Sequence, residues 1–127
     1  MIGIVWQAHY RNLKLRRTVL EMTSGRRAAM AIIRTTRFEV APADVEKMIA
    51  RRNALVAEVR NAFPDLTEAR LARAGERVWI DSWRWESAAS MDAAVQAVAT
   101  GALPAAGPAF ALTGNPAGES AEIVDER

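Results

Sequence analysis

From Met30 to the C-terminus the hydrophobic residues recur with a period that switches between two and about 3.6, and the order of the switches admits few folds. Ala31 to Val40, AIIRTTRFEV, alternates in character, is rich in Ile, Thr, Phe and Val, and stops at Ala41-Pro42, which predicts a first strand. Pro42 with Asp44 and Glu46 then opens a helix, because proline suits a first helical turn and acidic side chains favour its positive end. Val45, Met48, Ile49, Leu55, Val56, Val59 and Phe63 form one stripe along it, and Pro64 ends it. Leu66 to Arg73 and Arg77 to Glu86 read as two strands joined by a hairpin-sized turn at Ala74-Gly75-Glu76. Ser87 can cap a second helix running to about Thr100, with Met91, Ala94, Val95 and Val98 inward and Gly101 as its stop. A Pro-, Gly- and Ala-rich segment, Ala102 to Gly118, follows with one helical turn around Phe110. Glu119 to Glu126 reads as the final strand, with Ala121, Ile123 and Asp125 on one side. The predicted order, β-α-β-β-α-β, is the split βαβ, ferredoxin-like arrangement of the α+β class.

The same boundary at Met30 divides the chemistry. Residues 1–29 carry six basic side chains against Glu21 alone, a charge of +5, while residues 30–127 carry eleven against fourteen, a charge of −3. The folding part is mildly acidic, which argues against a surface for tracking nucleic-acid phosphates. The prefix opens on a short apolar run and then scatters charges, the reverse of a secretory signal. It is expected to be disordered, or to precede a true start at Met30, since Gly25-Arg26-Arg27 could be encoded by a purine-rich ribosome-binding run. An arm for an anionic partner, nucleic acid or membrane surface, and an amphipathic helix are the alternatives. No apolar run approaches the roughly 18 residues of a membrane span, and with no cysteine the expected location is cytoplasmic. The only histidine, His9, and the only tyrosine, Tyr10, lie in the prefix. From Met30 onward a Ser-His-Asp triad, a Cys-His pair, a His-ligated metal and a tyrosyl acid or base are all excluded by residue type.

The Pro-led first helix ending in AFPDLTEARLAR, and the tryptophan-rich third strand that runs into the second helix through WRWESAASMDAAV, resemble the antibiotic biosynthesis monooxygenase-like branch of the dimeric α/β-barrel superfamily. The resemblance spans Met30 to Arg127, and its sharpest piece is the strand-into-WES-helix junction. It implies a homodimer whose sheets pack face to face, forming a dimeric α/β barrel, with a small-molecule cavity between sheet and helices in each subunit. Some members oxidise polycyclic phenols to quinones with no metal or flavin, so no cofactor is implied. Others degrade haem through a histidine ligand, which is missing here. Quinone-forming members use Asn, Trp, Tyr and Arg side chains to orient the substrate and stabilise its anion, and the Tyr role is empty in this domain.

Individual residues have to choose among these activities. Trp79, Asp81, Trp83 and Trp85 alternate on the third strand and therefore share a face. Three indoles there could stack on a flat aromatic substrate, or be core filling or dimer interface. Arg52, at about 100° per residue, falls near the centre of the first helix's apolar stripe. A guanidinium in that place must pair with Asp81, hold an anion in a cavity, or snorkel to the helix edge. Arg34 and Thr36 share a face with Phe38 and Val40 on the first strand and would line the same space if that face meets the helices. Asn53, at the edge of the helical stripe, is either an orienting amide or a solvated one. Arg16-Arg17 and Arg26-Arg27 read as solvated charge, and no glycine-rich phosphate loop, paired-carboxylate spacing or metal-binding cluster is present.

The expected activity is a cofactor-independent monooxygenase-like oxidation of an aromatic or polycyclic small molecule. Arg52 would hold an enolate or phenolate, the indoles would frame its ring, Asp81 would fix Arg52 or act as a base, and Arg34, Thr36 and Asn53 would bind substrate. This requires Arg52 and Asp81 to adjoin a cavity of roughly 300 Å3 or more. A non-catalytic dimeric binding or assembly domain is the rival.

Overall fold

The computed structural model describes residues 30–127. The expectations for residues 1–29, including His9 and Tyr10, lie outside the described residues.

Strand β1 (Ile32–Glu39) is followed by a 3-10 turn (Pro42–Asp44) and helix α1 (Val45–Ala62). Pro42 occupies the first turn, as its fixed φ and missing N–H favour. The helix stops one residue before Pro64 could break it. Phe63 turns to an extended φ of −133°, the conformation a following proline imposes. Strands β2 (Leu66–Arg73) and β3 (Val78–Trp85) form the expected hairpin, closed by N–H groups of Ala74 and Gly75 that both donate to the Val78 carbonyl, at 2.8 and 3.2 Å. Helix α2 (Ala88–Ala99) starts as read from the sequence: the Ser87 Oγ accepts from the Ser90 N–H at 3.2 Å, and the Asp65 carboxylate accepts from both serine hydroxyls, at 3.2 and 2.7 Å. Gly101, at φ +77°, ends that helix region in the left-handed conformation that glycine adopts without steric cost. The one-turn helix expected near Phe110 is α3 (Ala106–Ala111).

The last strand departs from expectation. It runs from Gly114 to Glu122, not from Glu119 to Glu126, and is β4. Its bounds are set by its partner: β4 pairs antiparallel with β1 from Gly114 opposite Glu39 to Glu122 opposite Ile32, and β1 supplies no further partner. Pro116 is tolerated because β4 is an edge strand and a missing N–H can face outward there. Gly114, Pro116 and Gly118 hid this strand, since propensity disfavours all three.

The four strands make one antiparallel sheet in the order β2-β3-β1-β4. One face is covered by the helices, and the core between them includes Ile32, Leu55, Val59, Leu66, Trp85 and Met91. Burying each such side chain contributes on the order of 1.5–3 kcal/mol. A smaller cluster of Phe38, Val40, Met48 and Trp79 closes the far end. The face of β3 that meets the helices is the one carrying Trp79, Asp81, Trp83 and Trp85.

Candidate functional site

Between the sheet and the three helices lies a cavity of about 60 Å3. Its sheet wall is Arg34, Thr36 and Phe38 from β1 and Asp81, Trp83 and Trp85 from β3, and its helix wall includes Met48, Arg52, Leu55, Met91 and Val95. Phe110 of α3, Thr113 and Pro116 close one side. Period-two alternation brings the strand residues to this face, and the helical stripe brings Arg52 opposite them.

Of the three fates open to Arg52, the structure shows the ion pair. Its Nε donates to Asp81 Oδ2 at 3.0 Å and its Nη2 to Oδ1 at 2.8 Å, with side chains only 14 % and 10 % exposed. This parallel, two-point geometry is the strongest form of such a pair. The remaining Nη1 donates to Asn53 Oδ1 at 3.1 Å. Both Asp81 oxygens therefore hold Arg52, and the role as a base is not the one its geometry favours.

Two expected substrate contacts lie outside the cavity. Trp79 shares the face but sits beyond its end, packed with Phe38, Val40 and Met48, with the Arg73 guanidinium 5.2 Å from its ring centre. Asn53 is exposed on α1, because one helical step of about 100° from Arg52 carries it off the inner face. The expected cavity volume is also not reached. At about 60 Å3 it has room for a few waters, because indoles, methionines and the Phe110 ring fill the space.

Trp85 is 2 % exposed, and its indole N–H is buried without a hydrogen-bond acceptor. A buried donor left unmade costs about 1–3 kcal/mol. Arg34, 3 % exposed, is the second buried polar residue on the sheet wall. Burial lowers its pKa to about 10. Its Nη1 donates to Ser120 Oγ at 2.8 Å, and the Ser120 hydroxyl donates to Met91 Sδ at 3.6 Å. Ser120 lies within the strand expected at Glu119 to Glu126, and it was missed because the alternation there was followed through Ala121, Ile123 and Asp125, the opposite phase from Ser120. Stepping back by two from Ser120 to Gly118 and Pro116 is the signal that would have found this face. Among the described residues no group of three or more His, Cys, Asp or Glu side chains is placed to hold a metal ion, and no helix is long and apolar enough to cross a membrane.

A four-stranded antiparallel sheet in this order, backed on one face by helices, defines the α+β, ferredoxin-like class. Within that class the fold is the one found in antibiotic biosynthesis monooxygenase-like proteins, as the strand-into-WES-helix junction implied. A protein assigned as an antibiotic biosynthesis monooxygenase from Caulobacter crescentus CB15 superposes with a TM-score of 0.58 at 23 % identity, over 77 % of this chain and 93 % of that one. SnoaB, a cofactor-independent oxygenase from Streptomyces nogalater, gives 0.54 at 23 % identity, over 78 % and 96 %. A conserved protein from Bacteroides thetaiotaomicron VPI-5482 gives 0.59 at 14 % identity, over 76 % and 100 %. At these identities the likeness is one of fold. No family model matches the sequence, and no curated protein does.

Proposed function

We propose that the chain is a monooxygenase-like enzyme that oxidises an aromatic small molecule without a cofactor, and that it works as a homodimer joined through the uncovered sheet face. The observation that carries the reading is the make-up of the cavity wall and not its volume, which at about 60 Å3 is below the roughly 300 Å3 that catalysis was expected to need: an apolar chamber walled by Trp83 and Trp85, with Arg34, Arg52 and Asp81 at its edge. The fold it shares with SnoaB, named a cofactor-independent oxygenase, supports the same reaction class.

The chemistry asks little of the protein beyond electrostatics and exclusion of water. An ionised phenol or enol is electron-rich enough to react with dioxygen directly. A ring CH2 becomes C=O, one oxygen atom is retained and the other leaves as water. In this site Trp83 and Trp85 flank the ring and the Arg52–Asp81 pair holds the wall in place. A ring-sized substrate needs more than the present volume, so entry requires α3 and Phe110 to move.

Oxygen uptake tests this. Incubating the metal-free, flavin-free protein with anthrone is expected to consume dioxygen and form the quinone in equal amounts, above the spontaneous rate and abolished by Trp85→Phe with the fold retained. The engagement of Asp81 by Arg52 favours the alternative, a binding domain without catalysis. Anthrone binding without oxygen uptake would establish that reading in its place.

A further inference from the structure

Among the described residues, and besides the indoles, five polar side chains stand on the cavity wall: Arg34, Thr36, Arg52, Asp81 and Thr113. Four of them are engaged inside the protein. Arg52 gives its Nε and Nη2 to the two oxygens of Asp81 and its Nη1 to Asn53. Arg34 gives its Nη1 to Ser120, and its Nε and Nη2 are sealed from the cavity. The Thr113 hydroxyl donates to the Phe110 carbonyl at 2.9 Å. Thr36 is different. Among the described residues its hydroxyl has no hydrogen-bond partner, and it is not sealed as the Arg34 nitrogens are. The half-buried side chain lies on the helix side of β1, in phase with Arg34 and Phe38, so the surface that its hydroxyl leaves open belongs to the cavity wall. The pairing register gives the reason it is free. Thr36 stands opposite Asp81 on β3 and Gly118 on β4. Both Asp81 oxygens hold Arg52, and glycine has no side chain to offer. A hydroxyl can donate one hydrogen bond and accept two, and leaving it unmatched in an apolar chamber costs free energy.

We infer that Thr36 is a specificity-determining residue of this cavity: its hydroxyl meets a hydrogen-bonding oxygen of the occupant, a hydroxyl or a carbonyl, while the ring lies against Trp83 and Trp85. The inference rests on the cavity being a small-molecule site, and adds which residue reads the polar atom of its occupant.

The test is a cycle of two ligands and two proteins. Naphthol and methylnaphthalene, which exchange a hydroxyl for a methyl group of similar size, are titrated into the full chain and into Thr36→Val, which makes the same exchange in the protein. The indole N–H resonances report occupancy, with Trp79, outside the cavity, as the internal control. Both ligands are expected to shift Trp83 and Trp85 but not Trp79. The ratio of naphthol to methylnaphthalene affinity is expected to fall about fivefold or more from wild type to Thr36→Val, and to stay within about twofold in Thr36→Ser, which keeps the hydroxyl. A merely structural role would weaken both ligands and leave the ratio as it was. Because the hydroxyl makes no bond inside the protein and valine suits a strand, the urea midpoint of Thr36→Val is expected to match or exceed that of the wild type. An unchanged ratio in Thr36→Val, or a lowered midpoint that reveals an internal partner, overturns the inference and leaves the cavity reading standing. If neither compound shifts Trp83 and Trp85 in the wild type, both fall.

Discussion

At the scale of single residues, the Arg52–Asp81 pair decides how the cavity wall behaves. Both groups are largely desolvated, so removing one strands the other as an uncompensated buried charge. Asp81→Ala is expected to cost about 3–5 kcal/mol by urea denaturation, and the double variant Arg52→Met, Asp81→Leu to recover most of that loss. If the single and double variants are equally unstable, the pair is not what the wall depends on. Arg34 is predicted to behave in the opposite sense. Burial lowers its pKa to about 10, so the folded chain releases this proton at lower pH than the unfolded chain does. Below that pH both states are protonated and the burial cost is fully present. Above it, the group's contribution to stability rises with pH. Arg34→Met is therefore expected to lose the rise in stability that the wild type shows as the pH passes about 10, measured as urea midpoints on each side. The Arg52–Asp81 encounter was legible in the sequence because two periodicities, helical and alternating, pointed both side chains into one space. Arg34 was legible as a candidate substrate contact because it shares a face with Phe38 and Val40, and it does line the cavity. Its neighbours Gly118 and Ser120 come from the pairing register of β4, which no local pattern encodes. Trp79 shows the same limit: period two gives the face of a strand but not where along it a cavity ends.

Secondary-structure elements carry the question of access. The cavity is closed by α3 and the residues after it, a segment between two left-handed residues, Gly101 at φ +77° and Asn115 at φ +47°. It is tied to α1 by two hydrogen bonds across the surface, Arg51 Nη1 to the Pro108 carbonyl at 3.2 Å and the Ala105 N–H to Glu58 Oε1 at 3.3 Å. Neither tie is buried deeply enough to contribute more than about 1 kcal/mol, so releasing them should loosen α3 without unfolding the core. Arg51→Ala combined with Glu58→Ala is predicted to speed hydrogen exchange of the amides in residues 106–111 severalfold, to leave α1 and β3 unchanged, and to raise the association rate of anthrone. An unchanged association rate would mean that ligands enter elsewhere. The sequence announced α2 through Ser87 and ended α1 at Pro64 because those signals are local. It misplaced β4 because an edge strand containing proline and glycine is defined only by its partner.

At the scale of the whole molecule, the sheet has one face buried under helices and one that none of the described residues covers. The uncovered face presents Ile33, Thr35 and Arg37 from β1, Val78, Ile80 and Ser82 from β3, Arg70 and Ala72 from β2, and Glu119 and Ala121 from β4, the side chains opposite in phase to those that line the cavity. Arg84 on the same face is held by Glu126 at 2.6 and 2.7 Å and by Glu86 at 2.6 Å, which raises its pKa further and keeps its charge matched. An antiparallel sheet can face water on one side when that side is polar. Ile33, Val78 and Ile80 interleaved with charges of both signs, Arg37, Arg70, Arg84, Glu68 and Glu119, instead suit a second copy of the same face, as the proposed homodimer requires. Ile80→Glu, at the middle of that face, is predicted to convert a sedimenting dimer into a monomer with an unchanged circular dichroism spectrum. A wild-type chain that sediments as a monomer would remove the proposal. Because the residues that line the cavity lie on the helix side of the sheet, the monomeric variant should still bind anthrone. Loss of that binding with the fold intact would show that the partner, through the shared sheet, holds Trp83 and Trp85 in their working positions.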